Sequence, residues 1–323
     1  MEEVQLEMAS VDEFRPELTA YCYRMLGSIF DADDAVQETL LRVWQSWSEF
    51  RQDSAVRTWV YRIATNVCID KLRQQKRRAL PVDLTGPTSP IVVPEQTTPL
   101  NDWIWPAPDF KGDPADVSVR RESVRLAFVA LLQLLPARQR AAIILHDIFR
   151  WSADETALVL KTTRAAVNSA LQRARGTLDR AKLTSEQVAV SSGELDHDLL
   201  NRYVQAFEEF DVDGLIALFH EDGSLSMPPF TMWVQGADNV RAFYEATRFH
   251  CLGSRLLPVW ANGEPGFGQY VPDLADGVMK PWGIHVLECR NGQIAHVHTF
   301  IDPRLYPRFG LPESISLQDQ SGA

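Results

Sequence analysis

The chain has 323 residues, 45% of them hydrophobic and 23% charged, which is enough for two or three separate cores and too much for one small helical domain. A formal net charge of -11 excludes a uniformly basic nucleic-acid binder, yet the excess is local: residues 1–182 hold 24 Lys+Arg against 24 Asp+Glu, whereas residues 183–323 hold 8 against 19. The four cysteines Cys22, Cys68, Cys251 and Cys289 form no CxxC pair, so neither a zinc site nor a disulfide framework is indicated, and without a membrane-length apolar run the expectation is a cytoplasmic protein with no membrane partner.

From Val11 to Arg78 apolar residues recur at helical spacing, which predicts three or four packed helices. In DADDAVQETLLRVWQSW, Asp31 is the expected N-cap, with Asp33 and Asp34 in the first turn where the helix dipole favours acids. Val36, Leu40, Val43 and Trp47 form a stripe toward a core, while Asp34, Gln37, Glu38 and Leu41 form an outward one. One apolar residue in a polar stripe suits a partner surface. The next helix, RTWVYRIATNVCIDKLRQQKRR, interleaves Trp59 and Tyr61 with Arg57, Arg62, Asn66, Arg73, Lys76 and Arg77, the combination of stacking and phosphate attraction that single-stranded nucleic acid needs.

Residues 81–116 are rich in Pro, Thr and Asp and read as a linker. Within them NDWIWPAPD places Trp103, Trp105 and Pro106 together, and indoles in a linker are expected to dock on a domain surface. A second helical unit spans 117–182. Pro136 separates two of its helices, Ser152 caps a helix over 153–160, and a turn at Lys161 to Thr163 leads into a helix from Arg164 to Arg180. This is a helix-turn-helix pattern. Ala166, Ala170, Leu171 and Ala174 are expected to pack inward, leaving Arg164, Asn168, Ser169, Gln172, Arg173 and Arg175 to reach base edges and phosphates.

From Glu194 the pattern changes to amphipathic helices followed by strands, with turn signals at Asn262-Gly263 and Asn291-Gly292, which predicts an α+β domain with an antiparallel sheet. A two-residue turn at Asn291-Gly292 would set His285 opposite His298, with His296 on the same face, while Ile284, Val286 and Val297 pack inward. Three imidazoles so placed have metal-ligand chemistry, but no suitable carboxylate accompanies them, and neither metal nor other cofactor is expected. His220, Glu221 and Asp222 read as a helix end and turn. Phe207, Phe230, Trp233, Phe243 and Tyr244 either fill the core, the usual fate of aromatics, or line a pocket for an apolar ligand. RLYPRFGLP reads as an arm docking on the helical part or a frayed end.

The ordered motifs CYRMLGS, DADDAVQETLLRVW, RTWVYRIATNVCIDKLR, LPARQRAAIILHD and AAVNSALQRARGTL, over about Phe14 to Leu178, resemble the extracytoplasmic-function (ECF) group of RNA polymerase sigma factors. The resemblance implies two all-α domains, region 2 over 1–80 and a helix-turn-helix region 4 over 117–182, joined by the 81–116 linker. It further implies that Asp33, Asp34, Gln37, Glu38 and Leu41 grip the polymerase clamp. The Phe50 to Arg57 loop, with Trp59, Arg62, Asn66, Asp70 and Arg73, would hold the melted −10 strand. The second unit would meet the polymerase flap and place Arg164 to Arg175 in the −35 major groove. Asn168 and Ala170 stand where many members carry arginines, so the −35 preference is this chain's own.

The tail over 195–311, followed by residues 312–323, is similar to the SnoaL-like cone fold, and WIWPAPD is similar to a linker motif of ECF factors that carry such a tail. The fold class expected is therefore multidomain, two helical domains and an α+β cone. The implied function is promoter-specific initiation with core RNA polymerase and promoter DNA as partners, modulated by intramolecular contact between tail and sigma domains, with no catalytic residues. A helix-turn-helix regulator that is not a sigma factor, or a fusion to an active cyclase- or isomerase-like enzyme, are the alternatives.

Overall fold

The computed structural model describes residues 11–47, 50, 55–88, 97–110, 112–115, 117–184 and 196–317. The chain divides into two compact units, one of Met1–Ala79 and Asn101–Val188, the other of Leu80–Leu100 and Ala189–Ala323. The linker read from sequence is thus shared between them.

The first unit is all helical. Helices α1 (Arg15–Leu26), α2 (Ile29–Gln45) and α3 (Val56–Gln74) pack through Leu18, Tyr21, Met25, Val36, Val60 and Val67, all buried. Helix α1 closes at Gly27, whose positive φ of 70° lets its N–H reach the Tyr23 carbonyl at 2.7 Å. The N-cap of α2 is Ser28, not Asp31: the Ser28 hydroxyl accepts from the Asp31 N–H at 3.4 Å. Asp31 lies one turn inside, because its carboxylate is engaged by Gln75 Nε2 at 3.1 Å and by the Arg78 guanidinium. Cys22 and Cys68 are buried free thiols with sulfurs 3.6 Å apart.

The tryptophan motif folds against this unit. Trp103, Trp105 and Pro106 are buried. The Ala79 N–H donates to the Asp102 carbonyl at 3.1 Å, that of Ile104 to Ala79 at 3.2 Å, and that of Trp105 to Gly27 at 3.0 Å. Helices α4 (Val117–Val124), α5 (Leu126–Gln133) and α6 (Ala137–Ile143) lead through a π-helical turn at Ile144–Ile148 to α7 (Ala153–Leu160) and α8 (Arg164–Thr184). A capping box starts α7: Ser152 Oγ accepts from the Glu155 N–H at 3.1 Å, and Glu155 Oε2 from the Ser152 N–H at 2.8 Å. Helix α8 turns Val167, Leu171, Ala174 and Leu178 inward, and Ala166, expected inside, is exposed. The bulkier Val167 and Leu178 set the helix phase.

In the second unit, α9 (His197–Glu208), α10 (Val212–Leu218) and α11 (Ala237–Ala246), with the short α12 (Arg248–Cys251), cover a curved sheet. Its strands are β1 (Phe219–Ser226), β2 (Trp233–Gln235), β3 (Arg255–Ala261), β4 (Glu264–Asp273), β5 (Val278–Arg290), β6 (Gln293–Phe300) and β7 (Ile315–Ser316). Strand order is β2-β1-β6-β5-β4-β3, with β7 beside β5. The sheet is mixed, since β1 runs parallel to β6. Both Asn-Gly turns form, with φ of 57° and 72° at Asn262-Gly263 and 52° and 74° at Asn291-Gly292.

The expected His285–His298 pairing does not form. Arg290 pairs Gln293 and Cys289 pairs Ile294, but a bulge then skips Ala295, so Glu288 meets His296 and His285 meets Thr299. A one-residue slip exchanges the faces, and His285 shares one with Leu287, Val297 and Thr299, opposite to His296 and His298. The two remaining imidazoles lie 3.9 Å apart and are hydrogen-bonded to Ser224 and Ser226. Among the described residues no cluster suits a metal ion. His220 to Asp222 belong to β1 rather than to a helix end. The 3-10 turn Pro303–Phe309 is neither frayed nor directed away: the Tyr306 hydroxyl donates to the Gly283 carbonyl at 2.9 Å and also engages Gln269 O, clamping the arm on its own sheet.

Candidate functional site

Three faces carry the residues singled out from sequence. On α2, Asp34, Gln37 and Leu41 are exposed and Asp33 and Glu38 half-buried, all on the side away from Ala32, Ala35, Val36 and Val43. Leu41 is 60% exposed, and so is Trp44, one turn further along. Trp44 was missed in the sequence because the inward stripe absorbed its neighbour Trp47. Its spacing of three from Leu41 is the signal that finds it. Arg42 is turned along the helix to Glu38 at 2.5 Å, which keeps this cation beside the stripe.

On α3, Arg62, Asn66 and Arg73 follow one another at helical spacing, with Trp59 and Asp70 flanking them; Asn66 and Arg73 are exposed and Trp59, Arg62 and Asp70 half-buried. The Trp59 ring lies tilted at 4.9 Å from Phe50 and meets Trp47 edge-on at 5.7 Å, so aromatic surface continues the cationic face. Residues 51–54 of the preceding loop lie outside the described residues. Arg57 is not on this face. Its Nη2 donates to Glu17 at 2.9 Å and its guanidinium lies 5.0 Å from the Trp151 ring centre. Asp70 pairs with Arg73 at 3.0 Å, moderating the charge there.

On α8, Arg164, Asn168, Ser169, Gln172, Arg173 and Arg175 are all exposed, so the residues named for duplex contact are brought to the open side of one helix. Thr163 begins it, its hydroxyl accepting from the Ala166 N–H at 3.2 Å, which aims the first turn outward. Lys161, at φ 47° and ψ 57°, supplies the left-handed residue that turns α7 into α8. Arg175 is held by Asp147 at 2.6 Å and 2.9 Å, a bidentate pair that raises its pKa, and Arg164 approaches Asp154 at 3.5 Å. Among the described residues Asn168, Gln172 and Arg173 carry no such side-chain pairing.

Comparison with known families identifies the domains of the chain. The Sigma-70 region 2 model matches residues 11–78, the Sigma-70 region 4 model residues 125–178, and the SnoaL-like domain model residues 200–297. The ECF RNA polymerase sigma factor SigG of Mycobacterium tuberculosis is 41% identical over 317 residues, covering 95% of this chain and 84% of that protein. SigJ of the same organism is 29% identical over 247 residues, 74% of this chain and 72% of its own. The crystal structure of SigJ superimposes with a TM-score of 0.56 at 24% identity, over 94% of this chain and 99% of that one, which establishes the shared fold of helical domains followed by a SnoaL-like domain. A Sigma-70 region 2, a Sigma-70 region 4 and a SnoaL-like domain thus follow one another in a chain that is matched over 95% of its length by a sigma factor. The chain belongs to the ECF RNA polymerase sigma factors.

Proposed function

We propose that this sigma factor grips the polymerase clamp with the outward face of α2, through Asp33, Asp34, Gln37, Glu38, Leu41 and Trp44, and meets the flap with its second helical region. The −10 strand lies along Trp59, Arg62, Asn66, Asp70 and Arg73, and the −35 duplex receives Arg164, Asn168, Ser169, Gln172, Arg173 and Arg175. The observation that carries this reading is the exposure of Leu41 and Trp44, each 60%, on an otherwise polar helix face. Large apolar side chains left in water on one stripe mark a partner surface. Burying either contributes about 1.5–3 kcal/mol. Replacing both by alanine therefore weakens binding to core polymerase by at least about tenfold with helix content unchanged. Undiminished binding removes α2 as the contact.

The acidic C-terminal domain is read as a tethered restraint on the basic DNA-facing helices, on the charge split between residues 1–182 and 183–323. Run-off transcription with reconstituted core polymerase tests it: a chain ending near Lys182 gives more transcript than the full chain. Less transcript makes the domain an activating contact instead. Its cavity is read as binding rather than catalytic, because among the described residues no Asp or Glu lines it and both ring nitrogens of its buried His285 are occupied.

A further inference from the structure

A cavity of about 210 Å³ opens in the SnoaL-like domain between α11, α12 and the sheet, walled by Phe207, Phe230, Phe243, Tyr244 and Trp282. Trp233, the fifth aromatic of the sequence reading, is not among its walls. The polar end is built by His285, Gln269 and Thr299. Gln269 Nε2 donates to Ser254 Oγ at 2.9 Å, which turns its Oε1 toward His285 Nε2, also at 2.9 Å. His285 therefore donates from Nε2 and accepts at Nδ1 from the Tyr203 hydroxyl at 2.9 Å. Burial holds this imidazole near a pKa of about 3, so the cavity wall carries no charge there. Thr299 is 5% exposed, lines the cavity, and its hydroxyl has no hydrogen-bond partner among the described residues.

One wall has a second face. Met227 and Phe230 line the cavity, and the loop that carries them, up to Trp233, is bonded on its other side to the chain between the two promoter-reading regions. The Thr88 N–H and hydroxyl both donate to the Trp233 carbonyl, at 2.8 and 2.9 Å. Trp233 Nε1 donates to the Thr85 carbonyl at 2.8 Å, the Thr85 hydroxyl to Thr231 O at 3.3 Å, and the Thr98 N–H to Pro229 O at 3.1 Å. A single loop therefore separates the cavity from the interdomain linker.

We propose that this cavity is a sensor site for a small, neutral, one- or two-ring compound with one hydroxyl or carbonyl for Thr299, and that its occupancy shifts the Met227–Trp233 loop and so the hold of that loop on Thr85, Thr88 and Thr98. Ring-lined walls favour flat apolar ligands, a single open hydroxyl specifies one polar group, and the buried end, where His285 is neutral, gives an ion no counter-charge, the other lining histidine, His250, being exposed to solvent. The volume lies below the roughly 300–1,000 Å³ of drug-sized sites, which sets the size limit. The proposal rests on reading the C-terminal domain as a regulator.

The test uses the full chain and 2-naphthol, with 2-naphthoate as the charged counterpart of the same frame. Saturable binding of 2-naphthol is expected, weakened about three- to tenfold by Thr299→Val and lost in Ile301→Trp, which fills the cavity from its half-buried edge, while 2-naphthoate does not bind. Amide hydrogen exchange at Thr88 and Thr98 changes by at least about threefold when the probe is bound. Absence of saturable binding, equal binding to Ile301→Trp, or unchanged exchange at both threonines overturns the proposal. Binding and exchange are read without polymerase, so their failure leaves the run-off experiment free to judge the regulatory reading by itself.

Discussion

The guanidinium of Arg57 lies 5.0 Å from the centre of the Trp151 ring, joining the first turn of α3 to the residue before the helix-turn-helix cap. The same side chain pairs with Glu17 and lies 5.6 Å from the Tyr61 ring, so its contacts are made inside the protein. Cation–π and ion-pair terms of this half-exposed kind contribute about 1 kcal/mol each at most. Arg57→Ala is therefore expected to lower stability by about 1–2 kcal/mol in denaturant unfolding. Arg62→Ala and Asn66→Ala, on the open face, leave stability within about 0.5 kcal/mol and reduce affinity for single-stranded −10 DNA. Equal loss of strand binding in all three variants contradicts the separation of roles.

Asp113 supplies a buried counter-charge to Arg24. The carboxylate accepts from Arg24 Nη2 at 2.7 Å, both side chains are fully buried, and Ser123 Oγ accepts from the same guanidinium at 2.9 Å. Burial drives the Arg24 pKa down although Asp113 pulls it up. Removing one partner leaves a charge without compensation in the interior, which costs about 3–5 kcal/mol. Asp113→Ala is expected to destabilise the helical unit by that amount, measured by the midpoint of its unfolding transition. Arg24→Met combined with Asp113→Leu recovers most of the loss; failure to recover shows that packing, not the orphaned charge, dominates.

Along α8 the distinction between committed and open residues makes promoter recognition testable. Arg175 is occupied by Asp147, whereas Asn168 and Gln172 are exposed and suited to adenine edges. Asn168→Ala is expected to cost about 1–3 kcal/mol on the preferred −35 element and to relax discrimination at one base pair. Arg173→Ala weakens binding more evenly across sequences and lowers the salt dependence, as loss of a phosphate contact does. Selection of −35 sequences by each variant holoenzyme separates these outcomes.

Much of this architecture was legible because its signals are local. The Ser152–Glu155 capping box, the Asn-Gly turns and the inward stripe of α2 each occupy a few neighbouring residues. Where two neighbours offered the same chemistry, tertiary context decided: Ser28 and Asp31 are both good caps, and Asp31 was claimed by Arg78 and Gln75. The bulge that skips Ala295 leaves no local trace, since the Asn291-Gly292 turn is regular and the slip satisfies packing on both sheet faces. The linker's bonds to the Met227–Trp233 loop were invisible for a similar reason. Most of their acceptors are backbone carbonyls, which every residue has, some 145 positions further along the chain.

Burial and register together give the C-terminal domain an acid sensitivity. His285 is 2% exposed with a pKa near 3, and burial, with His298 adjacent, pushes His296 well below its usual value. In the unfolded chain both titrate near 6.5. Below that pH the unfolded state takes up protons that the folded state refuses. The stability these groups contribute is therefore complete above about pH 6.5 and is lost as pH falls toward their folded values. Between pH 7.5 and 5.5 each imidazole held neutral removes about 1.4 kcal/mol, and the pair roughly 2–3 kcal/mol. Denaturant unfolding of the full chain at the two pH values measures the loss. His285→Gln keeps a donor and an acceptor for Gln269 and Tyr203 but cannot titrate, so it reduces the pH dependence by about 1.4 kcal/mol. An unchanged pH dependence in that variant means that His285 protonates freely within the fold, contrary to its enclosure.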